Sequence, residues 1–410
     1  MTTTVGHIDL SDDHNYTAGF PQDFFTWLRA NDPVFWHEPT DRTPDGEGFW
    51  VVSRYADVRA IQLDAARFSS AGGGVRDKGG TSLKDERIIG TMLNHTDDPL
   101  HLRLRALVNR GFTPRTLGAL EHDLATRAHR LLDEVDASGG EPVDFVRAFA
   151  RELPAQAICI VLGIPEADRL ELLDWLDEGI ETESGSVFSR DSMRRIRIYG
   201  EGLIADKRTN PDGGIMSTII QARLDDGSQL DGRELLDFFG LLFPAGAETT
   251  RNAISTGIMT MARQPDEWTR LRADLGLIPT AIEELLRWAT PSVYKRRTVS
   301  ETVELHGKTL RAGDKLTFWE MSANRDESVF EDPFRFDIGR TPNPHLSFGW
   351  GVHFCLGANL ARLELAVALR VLVERYRRFE LATDPERLTW MPNARLSGLK
   401  ALPLRLITDR

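Results

Sequence analysis

The sequence predicts a mainly α fold, one large helical domain over residues 1–410 with a minor β-sheet portion. Three observations carry that expectation. From Leu117 to about Arg272 the apolar pattern is almost continuously helical, broken at Gly139-Gly140, Gly163-Ile164-Pro165, Asn210-Pro211 and Asp225-Asp226-Gly227. Within it, Arg233 to about Arg263 reads as one long, largely buried helix, since Leu235, Leu236, Phe238, Phe239, Leu241, Leu242 and Phe243 leave little polar surface. No strand–helix–strand rhythm recurs, and no internal repeat or low-complexity tract interrupts the chain.

Taken in order, Phe20 to Asn31 has a helical pattern amid Pro- and Gly-rich loop, Phe49-Trp50-Val51-Val52-Ser53 reads as a strand, and Tyr55 to Leu63 as a short helix. Ser69 to Gly90 sets Gly72, Gly73, Gly74, Gly79, Gly80 and Gly90 among charges, the composition of a long, mobile loop. Asp97-Asp98-Pro99 before an apolar periodic run starts a helix. On it, His101 and Arg105 stand at i and i+4, so two cationic donors share one face and can clamp an anion.

The long helix carries an odd passage, Phe243-Pro244-Ala245-Gly246-Ala247-Glu248-Thr249-Thr250. Pro244 removes an N–H and crowds the Gly240 carbonyl, Gly246 weakens the helix, and Thr249 can bond the Ala245 carbonyl. Three disturbances in one place predict a local opening of the helix, with an acid, Glu248, beside an alcohol. Further on, Glu284 and Arg287 form an i,i+3 pair in Glu284-Leu285-Leu286-Arg287, and Arg296 and Arg297 stand in a run of cations. Leu242, Phe243, Ala245, Val293 and Leu396 suggest an apolar pocket.

Near the C-terminus, Phe348-Gly349-Trp350-Gly351-Val352-His353-Phe354-Cys355-Leu356-Gly357 leads at once into a helical run, Ala358 to Tyr376. Three glycines allow torsions and close approaches that a Cβ would forbid. A thiol at a helix start meets unpaired N–H groups and the positive end of the dipole, which favour thiolate. One sulfur, with no second Cys or His set, suits a soft metal centre other than zinc or an iron–sulfur cluster.

The net charge of −12 argues against nucleic acid or an anionic membrane as partner. Cys159, in an apolar run, and Cys355 are the two cysteines, so no disulfide framework is expected and a reducing cytoplasm is the default. The polar N-terminus lacks a signal pattern, and no window approaches the roughly 20 apolar residues of a membrane span, so no membrane anchor is expected.

The Cys355 loop matches Phe-Gly-x-Gly-x-His-x-Cys-x-Gly at every defined position and so resembles the haem-binding signature of the cytochrome P450 family. The resemblance runs from about Trp50 to Leu404 and implies the P450 fold and a soluble, bacterial haem-thiolate monooxygenase. It makes Cys355 the thiolate ligand of haem b iron, with Phe348 beside the sulfur, His353 toward a propionate, and Gly349 and Gly357 shaping the loop. It makes His101, Arg105 and Arg297 propionate partners, with Arg296 a near competitor. Ala245, Gly246, Glu248 and Thr249 match the oxygen-binding segment, where Thr249 would hydrogen-bond the oxygen being activated and Glu248 would relay protons. Glu284, Arg287 and Arg335 would form a buried charged network behind the loop, Ser69 to Gly90 an active-site lid, and Val293 a substrate contact.

The implied reaction inserts one atom of O2 into a lipophilic small molecule of terpenoid, steroid or fatty-acid type, polyketides not excluded. Electrons would come from NAD(P)H through a separate ferredoxin and ferredoxin reductase, docking near Arg362, Arg103 and Arg110. Two alternatives stand beside it. A peroxide-driven peroxygenase is disfavoured by the acid–alcohol pair, which such relatives lose. A non-enzymatic haem gas sensor or carrier would need neither proton relay nor greasy pocket.

Overall fold

The computed structural model describes residues 8–87, 92–113, 117–181, 190–224 and 227–409. Helix α1 (Gln22–Asn31), strands β1 (Val34–His37) and β2 (Phe49–Val52), helix α2 (Tyr55–Leu63) and strand β3 (Phe68–Ser69) make up the first part. Helices α3 (Leu100–Asn109), α4 (Glu121–Asp136), α5 (Glu152–Leu162), α6 (Arg169–Glu181), α7 (Arg190–Thr209), α8 (Gly232–Arg263) and α9 (Ile278–Ala289) follow. Strands β4 (Tyr294–Val299) and β5 (Lys315–Trp319) and helix α10 (Ala358–Arg375) complete the frame of the site.

The helices form where the period expects them. In α4 the buried residues are Leu124, Ala128, Leu132 and Val135, a stripe at i, i+4, i+8 and i+11. Helix α5 is buried on nearly every side and stops at Gly163, whose φ of +77° takes the left-handed turn. Helix α8 starts on a capping box: the Asp231 carboxylate accepts from the N–H of Arg233 and Glu234, and the Asp231 N–H donates to Glu234 at 2.8 Å. It then packs against α5, α7, α9 and α10 at the centre of the helical core.

The expected opening of this helix is absent: α8 runs unbroken from Gly232 to Arg263 through Pro244. Proline deletes one N–H donor, and the surrounding turns, buried at Phe243, Pro244 and Ala247, hold the rest of the ladder. Gly246 is explained by packing rather than flexibility. A Cβ there would stand 2.6 Å from Cγ1 of Ile158, so the glycine lets α5 lie directly on α8. Gly257 does the same for α9, with Leu285 in the way of a Cβ at 2.3 Å.

The main sheet has the order β1-β2-β5-β4-β3, with β5 parallel to β2 and the other neighbours antiparallel. Its register sets Lys295 opposite Phe318 and Arg297 opposite Leu316. No helix among the described residues is long and apolar enough to cross a membrane.

Behind the Cys355 loop, Glu284 and Arg287 of α9 are fully buried and paired, Arg287 Nε donating to Glu284 Oε2 at 2.7 Å and Nη2 to Oε1 at 2.8 Å. The expected third member is not Arg335. Its side chain is 64% exposed and reaches only Asp337, at 3.8 Å; the backbone carbonyl of Arg335, turned inward, accepts from Arg287 instead. The second cation on Glu284 is Arg340, at 3.2 Å, joined by Asn343 Nδ2 at 3.1 Å. Asn324 links this knot to the loop, taking the Leu346 N–H on Oδ1 and donating to Ser347 Oγ. Arg287→Ala is expected to destabilise the protein by about 3–5 kcal/mol, because Glu284 is left buried beside an emptied site. Arg335→Ala is expected to stay within about 0.5 kcal/mol; urea denaturation of both variants checks the contrast.

Candidate active site

The Cys355 loop is a set of tight approaches. Gly349 and Gly351 have φ of +69° and +72°, and a Cβ on Gly351 would lie 2.5 Å from the Gln62 carbonyl of α2. The Cys355 N–H closes the loop on the Phe348 carbonyl at 2.8 Å. Helix α10 begins at Ala358 and ends at Arg375, where Tyr376 starts a strand.

Glu283 of α9 anchors the outer side. Arg362 of α10 donates to both its oxygens at 2.7 and 2.8 Å, and its guanidinium lies over the Phe348 ring at 4.6 Å. His345 Nε2 stands 3.1 Å from the same carboxylate. Arg362 is therefore committed to holding Phe348 and the loop. Of the other expected docking cations, Arg103 is exposed and the Arg110 side chain lies outside the described residues.

Cys355 combines two properties. Burial pushes its thiol above the usual range, with the Gly357 N–H and the Lys295 and Arg105 cations opposing. Desolvation thus outweighs the helix-start effect that favours thiolate. Yet the residue is accessible to solvent. Both hold together for a sulfur deep in the fold that borders an interior space. Ala245, in the middle of α8 between buried neighbours, is likewise exposed.

Near Cys355 and His353 stand Arg105, Arg297 and Lys295, with Glu320 the opposing carboxylate. His101 is buried, with Nε2 unpartnered among the described residues, and its ring centroid lies 4.2 Å from that of His353. His353 Nε2 meets Ser70 Oγ at 3.0 Å. Burial, and then Arg297, His101 and Arg105, bring His353 down to about 2, so it is neutral. Arg105 of α3 reaches the Val352 carbonyl at 3.4 Å and Arg297 of β4 the Arg296 carbonyl at 2.9 Å. Neither makes an ion pair among the described residues, whereas Arg296 turns the other way onto Asp85 at 2.9 Å. Of the two adjacent arginines, Arg296 is thus the one engaged with a carboxylate.

On α8 the residues sort by face. Thr249 Oγ1 donates to the Ala245 carbonyl at 2.9 Å, and Leu242, Ala245 and Thr249, at i, i+3 and i+7, share one side. Phe243, two residues from Ala245, looks elsewhere: it is fully buried and stacked on Phe239 with centroids 6.1 Å apart. It belongs to the helical core, not to a pocket shared with Ala245. Val293 and Leu396 meet at another place, where the Ser292–Leu396 bridge joins their backbones beside a small cavity of ≈ 10 Å³ lined also by Phe20 and Trp390.

Glu248 is held rather than open. It is 3% exposed and accepts from Arg251 at 3.0 Å; Arg251 also reaches Asp177 of α6 at 3.3 Å. Burial raises its carboxyl and Arg251 opposes the rise. The sequence reading did not find Arg340, Asn343, Glu283 or the Glu320–Lys295 pair (2.8 Å). An i,i+3 spacing signalled Glu284–Arg287, but these partners lie tens of residues from one another.

A family model for cytochrome P450 matches residues 199–406. The chain is 46% identical to the putative cytochrome P450 126 of Mycobacterium tuberculosis, over 99% of each protein. The chain belongs to the cytochrome P450 family. This P450 is also 39% identical to a methyl-branched lipid omega-hydroxylase of M. tuberculosis, covering 93% of this chain and 90% of the relative. To a steroid C26-monooxygenase of the same organism it is 35% identical, covering 96% and 91%. Among solved structures, Mycobacterium marinum CYP268A2 in complex with pseudoionone superposes with a TM-score of 0.87 at 31% identity, over 98% of this chain and 100% of that one.

The family is one of haem-dependent monooxygenases, and the P450's residues fit the cofactor. The Cys355 sulfur is solvent-accessible, and two guanidiniums without an ion pair among the described residues, with the open Nε2 of buried His101, stand near it and His353, as the two carboxylates of haem require.

Glu283 sets a pH limit on the loop. Burial alone would raise its carboxyl, but the hydrogen bonds and charges of Arg362 and His345 bring it down to about 2 from its usual 4.5. A carboxyl depressed on folding stabilises the fold fully above the unfolded value and loses that contribution as pH falls through the folded one. Acid titration from pH about 4.5 toward 2 is expected to loosen the Cys355 loop, and Glu283→Gln should flatten that segment of the stability–pH curve.

Proposed function

We propose that this P450 inserts one atom of O2 into a lipophilic small molecule, the second atom leaving as water, with both electrons drawn from NAD(P)H through a ferredoxin and its reductase. Steroids, terpenoids and branched or straight fatty-acid chains are the substrate class. The observation that carries the reading is Cys355, a solvent-accessible sulfur at a helix start, with Arg105 acting on it and Arg105, Arg297 and His101 grouped about neighbouring His353. The activities for which two relatives are named, on a methyl-branched lipid and on a steroid, agree with it.

Haem held by Cys355 supplies the oxygen chemistry; the chain supplies position and protons. Arg105, Arg297 and His101 bind and orient the carboxylates, and neutral His353 adds a donor without adding charge. The Thr249 hydroxyl gives its proton to the Ala245 carbonyl and so turns its lone pairs outward, ready to accept an O–H. Arg251, shared between Glu248 and Asp177, can release one carboxylate while keeping the other. That arrangement lets Glu248 take up and pass on a proton. Arg103 is left as a described, exposed docking cation for an acidic ferredoxin.

Purified haem-loaded protein, reduced and exposed to carbon monoxide, should give the red-displaced absorption of a thiolate ligand; an imidazole-type spectrum would sink the reading. Thr249→Ala should keep consuming NAD(P)H while product per NAD(P)H falls about tenfold or more and hydrogen peroxide accumulates. Unchanged coupling would remove Thr249 from the proton path. Turnover with peroxide alone would favour a peroxygenase, and neither turnover nor NAD(P)H use with any lipophilic compound would favour a gas-binding protein.

A further inference from the structure

The stretch expected to be a loose lid is fastened down through its described part. Asp97 takes the hydroxyl of Ser69 and, at 2.8 Å, the N–H of Ser70 on its carboxylate, fixing one end. Farther along, Asp85 is met by three cations: Arg296 Nη2 at 2.9 Å, Lys315 Nζ at 3.6 Å, and Arg76. The side chains of Asp85, Arg296 and Lys315 are 3%, 0% and 1% exposed.

Two further carboxylates complete the cluster. Lys315 reaches Asp45 at 2.9 Å and Glu47 at 3.5 Å, and Arg76 reaches Glu47 at 2.9 Å. Asp45 Oδ2 also accepts the Asp85 N–H at 2.8 Å. Among the ion pairs of the described residues, three cations and three carboxylates meet here, drawn from three pieces of chain: the turn at 45–47, residues 76–85, and the paired strands β4 and β5. Buried ion pairs give little net stability over apolar packing, because desolvation offsets their attraction. What a balanced buried cluster does supply is registry, since any other alignment leaves a charge uncompensated.

The same segment touches the region where Val293 and Leu396, the expected substrate contacts, meet. The Thr81 carbonyl accepts the Arg296 N–H at 3.0 Å, and Thr81 Oγ1 accepts from Arg395 at 2.9 Å. Leu83 is buried in one apolar cluster with Val293 and Trp319. The Arg395 carbonyl in turn holds the Val293 N–H at 2.8 Å, next to Leu396.

We infer that Asp85 is a positioning residue. Through Arg296, Lys315 and Arg76 it clasps residues 76–85 to the sheet as a preset wall beside Val293 and Leu396. This P450 then selects lipophilic ligands by a fixed contour and not by closure of a loop at this place. The inference deepens the proposed substrate reading and rests on it for the pocket, though not for the clasp itself.

The test compares wild type with D85N, R296Q and the double variant D85N/R296Q, all haem-loaded. Hydrogen exchange of peptides within 76–85, thermal midpoint, and spectral titration with dodecanoic acid and testosterone are measured. In D85N, exchange within 76–85 should rise about tenfold or more while α8 and α10 stay protected. The charge-balanced double variant should regain the thermal midpoint, yet keep fast exchange and an altered ratio of the two dissociation constants. Unchanged exchange in D85N, or a double variant that restores exchange and ratio together, would overturn the inference. If D85N does not fold, Arg76→Ala removes the most accessible cation of the cluster, 19% exposed, and carries the same measurements. A wild type that binds neither probe would count against the substrate reading, and exchange would still decide the clasp.

Discussion

A sulfur seated where burial opposes its ionisation is the constraint on which the rest of this structure depends. To keep Cys355 deep and still open on one side, the chain turns through two left-handed glycines, closes the loop on the Phe348 carbonyl and starts a helix at once. Between Phe348 and Gly357 that loop has only one short 3-10 turn, Gly351–His353, of its own. It is held from outside, by Arg362 and His345 on Glu283 and by Asn324 on Leu346 and Ser347. Such supports act through hydrogen bonds at fixed distances, so they set position more than they add stability.

Charge in the fold is distributed by the same logic. Where the chain needs rigidity, cations and carboxylates are buried against one another, as at Glu284–Arg287–Arg340 and around Asp85. Beside Cys355 and His353, Arg105 and Arg297 meet backbone carbonyls and make no ion pair among the described residues, and His353 is kept neutral. The difference between a structural and a binding arginine is therefore visible in what each one lacks. Arg296 and Arg297, adjacent in β4, fall on opposite sides of that distinction because successive residues of a strand face opposite ways.

Helix α8 joins the two halves. One face packs on α5 so closely that Gly246 has no room for a methyl group, another carries Phe243 into the core, and a third leaves Ala245 and Thr249 free of packing. The unbroken backbone through Pro244 means that any groove along α8 is made by small side chains and by the Thr249 hydroxyl capping its own helix, not by a gap in the ladder. Glu248, one residue earlier and about 100° around, belongs to the ion cluster with Arg251 and Asp177.

Much was legible in the chain itself. The helical period, the long central helix, the cysteine loop and the i,i+4 and i,i+3 pairs are short-range patterns, and a pattern confined to one turn or one helix survives in sequence. The third member of the Glu284 network, the partners of Glu283 and the fastening of residues 76–85 were not legible. Each joins residues far apart in the chain, and a flexible, glycine-rich composition describes a segment's freedom before contact, not after. Sequence by itself determined the mainly helical fold and, through the spacing of the Cys355 loop, the resemblance to the P450 family, because local spacing dictates which groups can share a face or a turn. Only the tertiary structure decided which charges are spent on one another and which are left for a ligand, because that depends on distances closed by the whole fold.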